Sequence, residues 1–157
     1  MPADIHLPSP ARRRWLATSG GLALSFVVRP ATGAPTELQG AIDAFTGGAR
    51  VQPGKVTLEI ATLVENGNGV PITVAVDSPM TAVNHVTAIA IFNERNPERD
   101  VARFRLGPRA GKARVATRIR LATSQRLVAV AQMNDGTFWS GSADVVVTLA
   151  ACIEGES

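Results

Sequence analysis

The chain has 157 residues, of which 45% are hydrophobic, 18% charged and 4% aromatic, with one cysteine and two histidines. That length suits one domain with its own core, and the composition excludes a disordered, collagen-like or coiled-coil chain. A single cysteine excludes an internal disulfide framework, and His6, His85 and Cys152 are too few to build a dedicated zinc, haem or iron–sulfur site, so no cofactor is expected.

The net charge of +3 is concentrated at the start of the chain. Arg12-Arg13-Arg14 precede an apolar stretch from Trp15 to Val28, and small residues Ala31-Thr32-Gly33-Ala34 follow. A basic region, an apolar stretch of about a dozen residues and a small-residue exit are the parts of an export signal. The order Arg12-Arg13-x-Trp15-Leu16 is similar to the bacterial twin-arginine signal. Residues 1–33 are therefore expected to direct periplasmic export, with cleavage between Gly33 and Pro35. No apolar run reaches the roughly 18 residues of a membrane span. Removing residues 1–33 takes away four of sixteen basic and one of thirteen acidic residues, leaving twelve of each. The remaining chain is neutral, which argues against a nucleic-acid partner.

From residue 34 one helix comes first: Leu38, Ala41, Ile42 and Phe45 form an apolar stripe at i, i+3, i+4 and i+7. Thr36 is the expected N-cap, and Gly47-Gly48 ends the helix. The period then changes to two. Val56, Leu58 and Ile60 alternate with Thr57 and Glu59. The run 70–76 follows, with Pro71 expected near a strand start or edge. Residues 85–92 (HVTAIAIF) are apolar on both parities and predict a central strand. Ala102, Phe104 and Leu106 oppose Arg103 and Arg105; Val115, Ile119 and Leu121 oppose Arg114, Arg118 and Arg120. Residues 127–133 and 137–140 flank Asn134-Asp135-Gly136, a hairpin signal, and 144–149 (DVVVTL) is the last strand. Seven or eight short strands about ten residues apart predict an all-β, Ig-like antiparallel sandwich carrying one short N-terminal helix and a flexible C-terminal arm. The resulting division is 1–33 signal, 34–149 sandwich, and 150–157 arm.

No autonomous active site emerges. His85 opens an apolar strand, as a structural histidine would. Asp77, Glu94, Glu98 and Asp100 lie in loops without the pattern of a catalytic pair. Asn66-Gly67-Asn68-Gly69 joins two strands with no following helix, so it is a turn and not a phosphate loop. No catalytic residue and no metal ligand is assigned. Two features remain. Ten of the twelve basic residues beyond the signal lie between Arg95 and Arg126, which predicts either a solvated outer face or a positive surface for an acidic protein or small anion. Cys152 stands alone just past the last strand, where it is a buried small hydrophobe, an intermolecular bridge or a reactive thiol.

The runs ENGNGVPITVAVDSPM (65–80), IAIFNERNPERDVARFRLGPRAGKARVATRIRLA (89–122), VAVAQMNDGTFW (128–139) and VVVTLAAC (145–152) carry a family resemblance. From about Ala41 to Cys152 the chain resembles SoxY, the sulfur-carrier subunit of the periplasmic thiosulfate-oxidising system. The resemblance implies an Ig-like fold, a twin-arginine signal, and a heterodimer with a second β-sandwich subunit, SoxZ. It also implies a substrate held covalently on the cysteine of a C-terminal GGCGG tail, matched here by Cys152. The implied enzyme partners are a c-type cytochrome pair, a dimanganese hydrolase and a sulfane dehydrogenase. Such a carrier is not itself an enzyme.

The tail departs from that pattern. Ala150 and Ala151 replace the two leading glycines, Ile153 follows the cysteine, and Glu154 and Glu156 lie beyond it. Alanines lose easy access to positive φ and stiffen the arm, while the glutamates disfavour a thiolate and repel anionic thiosulfate. Two readings stay open. One is a covalent sulfur carrier; the other is a divergent periplasmic Ig-like adaptor that binds a SoxZ-like partner without carrying sulfur.

Overall fold

The computed structural model describes residues 33–149. The segment expected to direct export, apart from Gly33, and the expected arm with Ala150, Ala151, Cys152 and Ile153 lie outside the described residues. Two sheets pack face to face, as the alternating sequence leads one to expect, and the helix covers the outer side of one of them.

Helix α1 (Gly33–Thr46) starts earlier than its N-cap signal, so Thr36 lies inside it and is not its cap. Its end is as expected: Gly47 and Gly48 both adopt positive φ (66° and 79°), and the Gly48 N–H donates to the Asp43 carbonyl. The strands are β1 (Val51–Pro53), β2 (Val56–Glu59), β3 (Leu63–Asn66), β4 (Val70–Val76), β5 (Val86–Asn93), β6 (Asp100–Arg105), β7 (Arg114–Ile119), β8 (Gln125–Met133) and β9 (Phe138–Leu149). One sheet has the order β1-β9-β8-β5-β6, with β3 also on β9; the other has the order β2-β4-β7. β5 is central, between β8 and β6. Pro71 sits at the second position of β4, before the stretch paired with β2, so its missing N–H leaves no gap in that ladder.

Side-chain alternation builds the core. Val70, Ile72, Val74 and Val76 of β4 face Ile89 and Ile91 of β5, Leu127, Ala129 and Ala131 of β8, and Val145 of β9. The opposite parity of the larger sheet is also apolar. Ala90, Phe92, Val130 and Phe138 form a second cluster, which the α1 stripe covers through Leu38, Ala41, Ile42 and Phe45. That explains why residues 85–92 are apolar on both parities: one face meets the second sheet, the other meets the helix. Phe45 stands 6.0 Å from Phe92 and 5.9 Å from Phe138, ring pairs worth about 0.5–1.5 kcal/mol each beyond area burial.

Two ladders are parallel, and both involve β9. β1 pairs with its first half (Val51↔Phe138 to Pro53↔Ser140) and β3 with its last (Leu63↔Val146 to Asn66↔Leu149). Between them the chain crosses to the second sheet as β2 and returns. The crossing turns at Gly54 and Lys55, both at positive φ (112° and 59°). It passes so close to β9 that a Cβ at Gly141 would stand 2.1 Å from the Val56 carbonyl oxygen. Residues 141–143 are consequently part of one continuous twelve-residue strand, where two short strands had been expected. At its start, the Asp135 carboxylate accepts hydrogen bonds from the N–H and Oγ1 of Thr137 (2.9 and 2.7 Å), which fastens the β8–β9 hairpin and holds that carboxyl below its ordinary pKa.

Replacement of Gly141 by alanine is expected to force β2 off β9 and to cost about 1–3 kcal/mol, as for other overpacked sites. Urea denaturation should show a lower midpoint than the parent; an unchanged midpoint would mean that the crossing relaxes freely.

Candidate functional site

The expected site is the arm, so the described geometry that matters is its root. β9 is paired with β8 on one side as far as Val145 and with β3 on the other from Val146 to Leu149. On one side Gln125↔Val145 and Arg126↔Asp144 continue the β8 ladder; on the other, β3 pairs to Asn66↔Leu149. The bonds persist to the last residue. The Gly67 N–H donates to the Leu149 carbonyl (3.1 Å), and the Val147 N–H donates to Ser124 Oγ (2.9 Å). Thr148 Oγ1 donates to the Glu65 carbonyl (3.2 Å). Residue 149 is therefore a fixed point, and Cys152 is three residues beyond it, within a reach of roughly 10 Å.

Three buried or part-buried amides shape the surroundings of that point. Asn96 Oδ1 accepts from the Ala122 N–H (3.0 Å) and from Gln125 Nε2 (2.7 Å), while Asn96 Nδ2 donates to the Arg120 carbonyl (2.8 Å). Gln125 Oε1 accepts from the Arg95 N–H, and Asn93, wholly buried, bridges the Asn96 N–H and the Glu98 carbonyl. This network ties the loop after β5 to the β7–β8 connection. Sequence reading passed over all three residues, because an amide in a polar loop looks solvated. The usable signal was Asn93 at the end of an otherwise apolar strand.

The arginines do not form one surface. Arg103 and Arg105 pair with Ala90 and Ala88 and project on the helix side of the larger sheet. Arg114 and Arg118 pair with Ala75 and Pro71 and project from the outer face of the smaller sheet. Several are neutralised: Arg99 by Glu37, Arg103 by Asp100 (2.5 Å), Arg114 by Glu59 (2.7 Å) and Arg126 by Asp144 (2.9 Å). The Arg126 guanidinium holds the Asp144 carboxyl below the ordinary carboxylate range. Strand parity separates in from out but does not say which sheet a strand joins; of the two alternatives the sequence left open, a single positive surface is not formed by these arginines, which are split between two faces.

His85 lies at the opposite end of the sandwich. Its Nδ1 is 3.0 Å from the Thr81 carbonyl, and its N–H donates to Asn134 Oδ1, beside the hairpin that starts β9. A twelve-residue strand spans on the order of 35–40 Å, far more than the arm can bridge, so a Cys152–His85 pair is sterically excluded. Among the described residues no three His, Cys, Asp or Glu side chains gather as a metal site. No helix there is long and apolar enough to cross a membrane.

Asn96→Ala is expected to leave the Ala122 N–H and the Gln125 amide without their acceptor, costing about 1–3 kcal/mol. Hydrogen exchange at the Ala122 amide should speed up first. Unchanged protection there would show that the network is dispensable.

Comparison with known proteins gives the following. The family model described as "Sulfur oxidation protein SoxY" matches residues 42–152. Among solved structures, the sulfur carrier protein SoxY from Chlorobium limicola f thiosulfatophilum superposes with a TM-score of 0.63 at 33% identity, covering 73% of this chain and 99% of that one. A superoxide reductase (neelaredoxin) from Ignicoccus hospitalis gives 0.53 at 19% identity, covering 60% of this chain and 80% of that one. The superoxide reductase from Nanoarchaeum equitans gives 0.52 at 14%, covering 61% and 100% respectively. The two reductases share the fold alone. No curated protein sequence matches the chain.

Proposed function

Because the chain belongs to the SoxY family, we propose that it is a covalent carrier of sulfur intermediates during thiosulfate oxidation, with Cys152 as the attachment point. The observation that carries this reading is positional. The family match ends at residue 152, the only cysteine of the chain, three residues past a strand end that is paired to its last residue by β3.

The chemistry suits that placement. A thiolate is a soft nucleophile, and a two-electron oxidation supplied by a cytochrome partner joins it to the outer sulfur of thiosulfate. The carrier need not lower a barrier itself. It presents the adduct to active sites elsewhere, which accords with Glu94, Asp100 and His85 being engaged in local contacts. The fixed root makes the arm short, so enzymes must approach this end of the sandwich closely. In this reading the carrier works in the periplasm after twin-arginine export, as a heterodimer with a SoxZ-like subunit. Its enzyme partners are the c-type cytochrome, the dimanganese hydrolase and the sulfane dehydrogenase of the pathway.

The test is a reconstituted system with a SoxZ-like subunit and the pathway enzymes. Cys152→Ser should abolish thiosulfate-dependent electron transfer to cytochrome, whereas exchanging residues 150–157 for a GGCGG tail should raise it severalfold. Full activity of Cys152→Ser would refute the carrier reading. Equal rates for the native and exchanged tails would show that Ala150, Ala151 and Ile153 do not limit the arm.

A further inference from the structure

We propose that the free edge of β6 accepts an extended segment of a partner protein as an added strand, and that this segment alternates acidic with apolar residues. β6 ends the larger sheet: β5 lies on one flank and, among the described residues, no strand lies on the other. The phase of its ladder is fixed. Leu106 N–H donates to the Thr87 carbonyl (2.9 Å), so Leu106, Phe104 and Ala102 make the hydrogen bonds to β5. Arg103 and Arg105, opposite Ala90 and Ala88, occupy the non-hydrogen-bonded pairs, and their backbone N–H and C=O groups point away from β5. Those groups are what an added strand would pair with.

The two sides of that edge call for different side chains, because an added strand alternates as β6 does. On the helix side it meets Arg103 and Arg105, beside a groove of about 520 Å³ that also touches Phe45, Thr87 and Gln132. Among the described residues Arg105 forms no ion pair, nor do Arg109 and Lys112 in the connection to β7. Arg103 is held by Asp100, the one carboxylate of the strand. Acidic side chains complement this side. On the inner side the added strand meets Phe104 and Leu106, which pack on the core yet stay partly exposed, as does Val115 of β7. Apolar side chains complement that side. A second copy of β6 does not fit, since it would set arginine against arginine. β7 is an edge too, but Arg114 is held by Glu59 and Arg118 donates to the Gly69 carbonyl (3.3 Å).

This surface goes beyond the sulfur-carrier reading and does not depend on it. For the test, the isotope-labelled full chain is offered the capped peptide EVEVEV, its basic counterpart KVKVKV, or EVEVEV methylated on the backbone nitrogens of its glutamates. In the added strand the glutamates lie opposite Arg103 and Arg105 and make the hydrogen bonds. Saturating EVEVEV should slow hydrogen exchange at the Arg103 and Arg105 amides at least fivefold. The amides of Arg114 and Ala116, which face outward from β7, should be unchanged. The basic and the methylated peptides should slow neither pair. Arg103→Gln with Arg105→Gln should weaken EVEVEV binding at least threefold, read from the peptide concentration giving half the effect. No slowing by EVEVEV, equal slowing by either control peptide, or unchanged binding to the glutamine variant overturns the proposal, whatever the sulfur chemistry of Cys152.

Discussion

The Val56 carbonyl oxygen occupies the space that a side chain at residue 141 would need, 2.1 Å from the position of its Cβ. Glycine there lets β2 pass from one sheet to the other directly over the middle of β9. Because the crossing costs β9 no length, β1 can pair with its first half and β3 with its second. β8 runs along the opposite flank. A twelve-residue strand is thereby held from end to end, and the last backbone carbonyl before the arm has a partner in Gly67. A frayed terminus would have allowed the segment beyond it to begin almost anywhere; here it begins at a defined place.

That place sets what the molecule can do. With Cys152 as the proposed attachment point, three residues of reach make a short tether. The surroundings are built from buried amides and paired arginines, which rigidify the loops beside the root. Surface ion pairs such as Arg126–Asp144 are each worth little in water, and their consequence is electrostatic. They neutralise four of the ten basic residues between Arg95 and Arg126, namely Arg99, Arg103, Arg114 and Arg126.

The sandwich was legible wherever one side of a strand is buried and the other wet, as in Val56–Glu59 and Arg114–Ile119, and the α1 stripe identified the face it covers. β1 and β3 were not, since three- and four-residue strands leave too few alternations, and their parallel partner is some eighty residues away. Gly141-Ser142-Ala143 reads as a break because small residues usually end strands; here the glycine is required by a close approach that only the third dimension reveals. Thr36 misled for a related reason, being a good cap residue that the helix runs past. Cys152 stood out from the sequence as the lone cysteine in a family-like tail. What the sequence withheld was its mounting: Asn93, Asn96 and Gln125 look like ordinary loop amides until their partners are seen.

The central claim is that Cys152, presented from a fixed strand end, holds the sulfur. Intact-protein mass spectrometry on material purified from cells oxidising thiosulfate addresses it most directly. Additions of one or more sulfur atoms, or of a thiosulfate or sulfonate group, should be found on Cys152 and be removed by a thiol reductant. A thiol recovered unmodified from cells under turnover would contradict the claim and leave the chain as a sandwich adaptor that carries nothing.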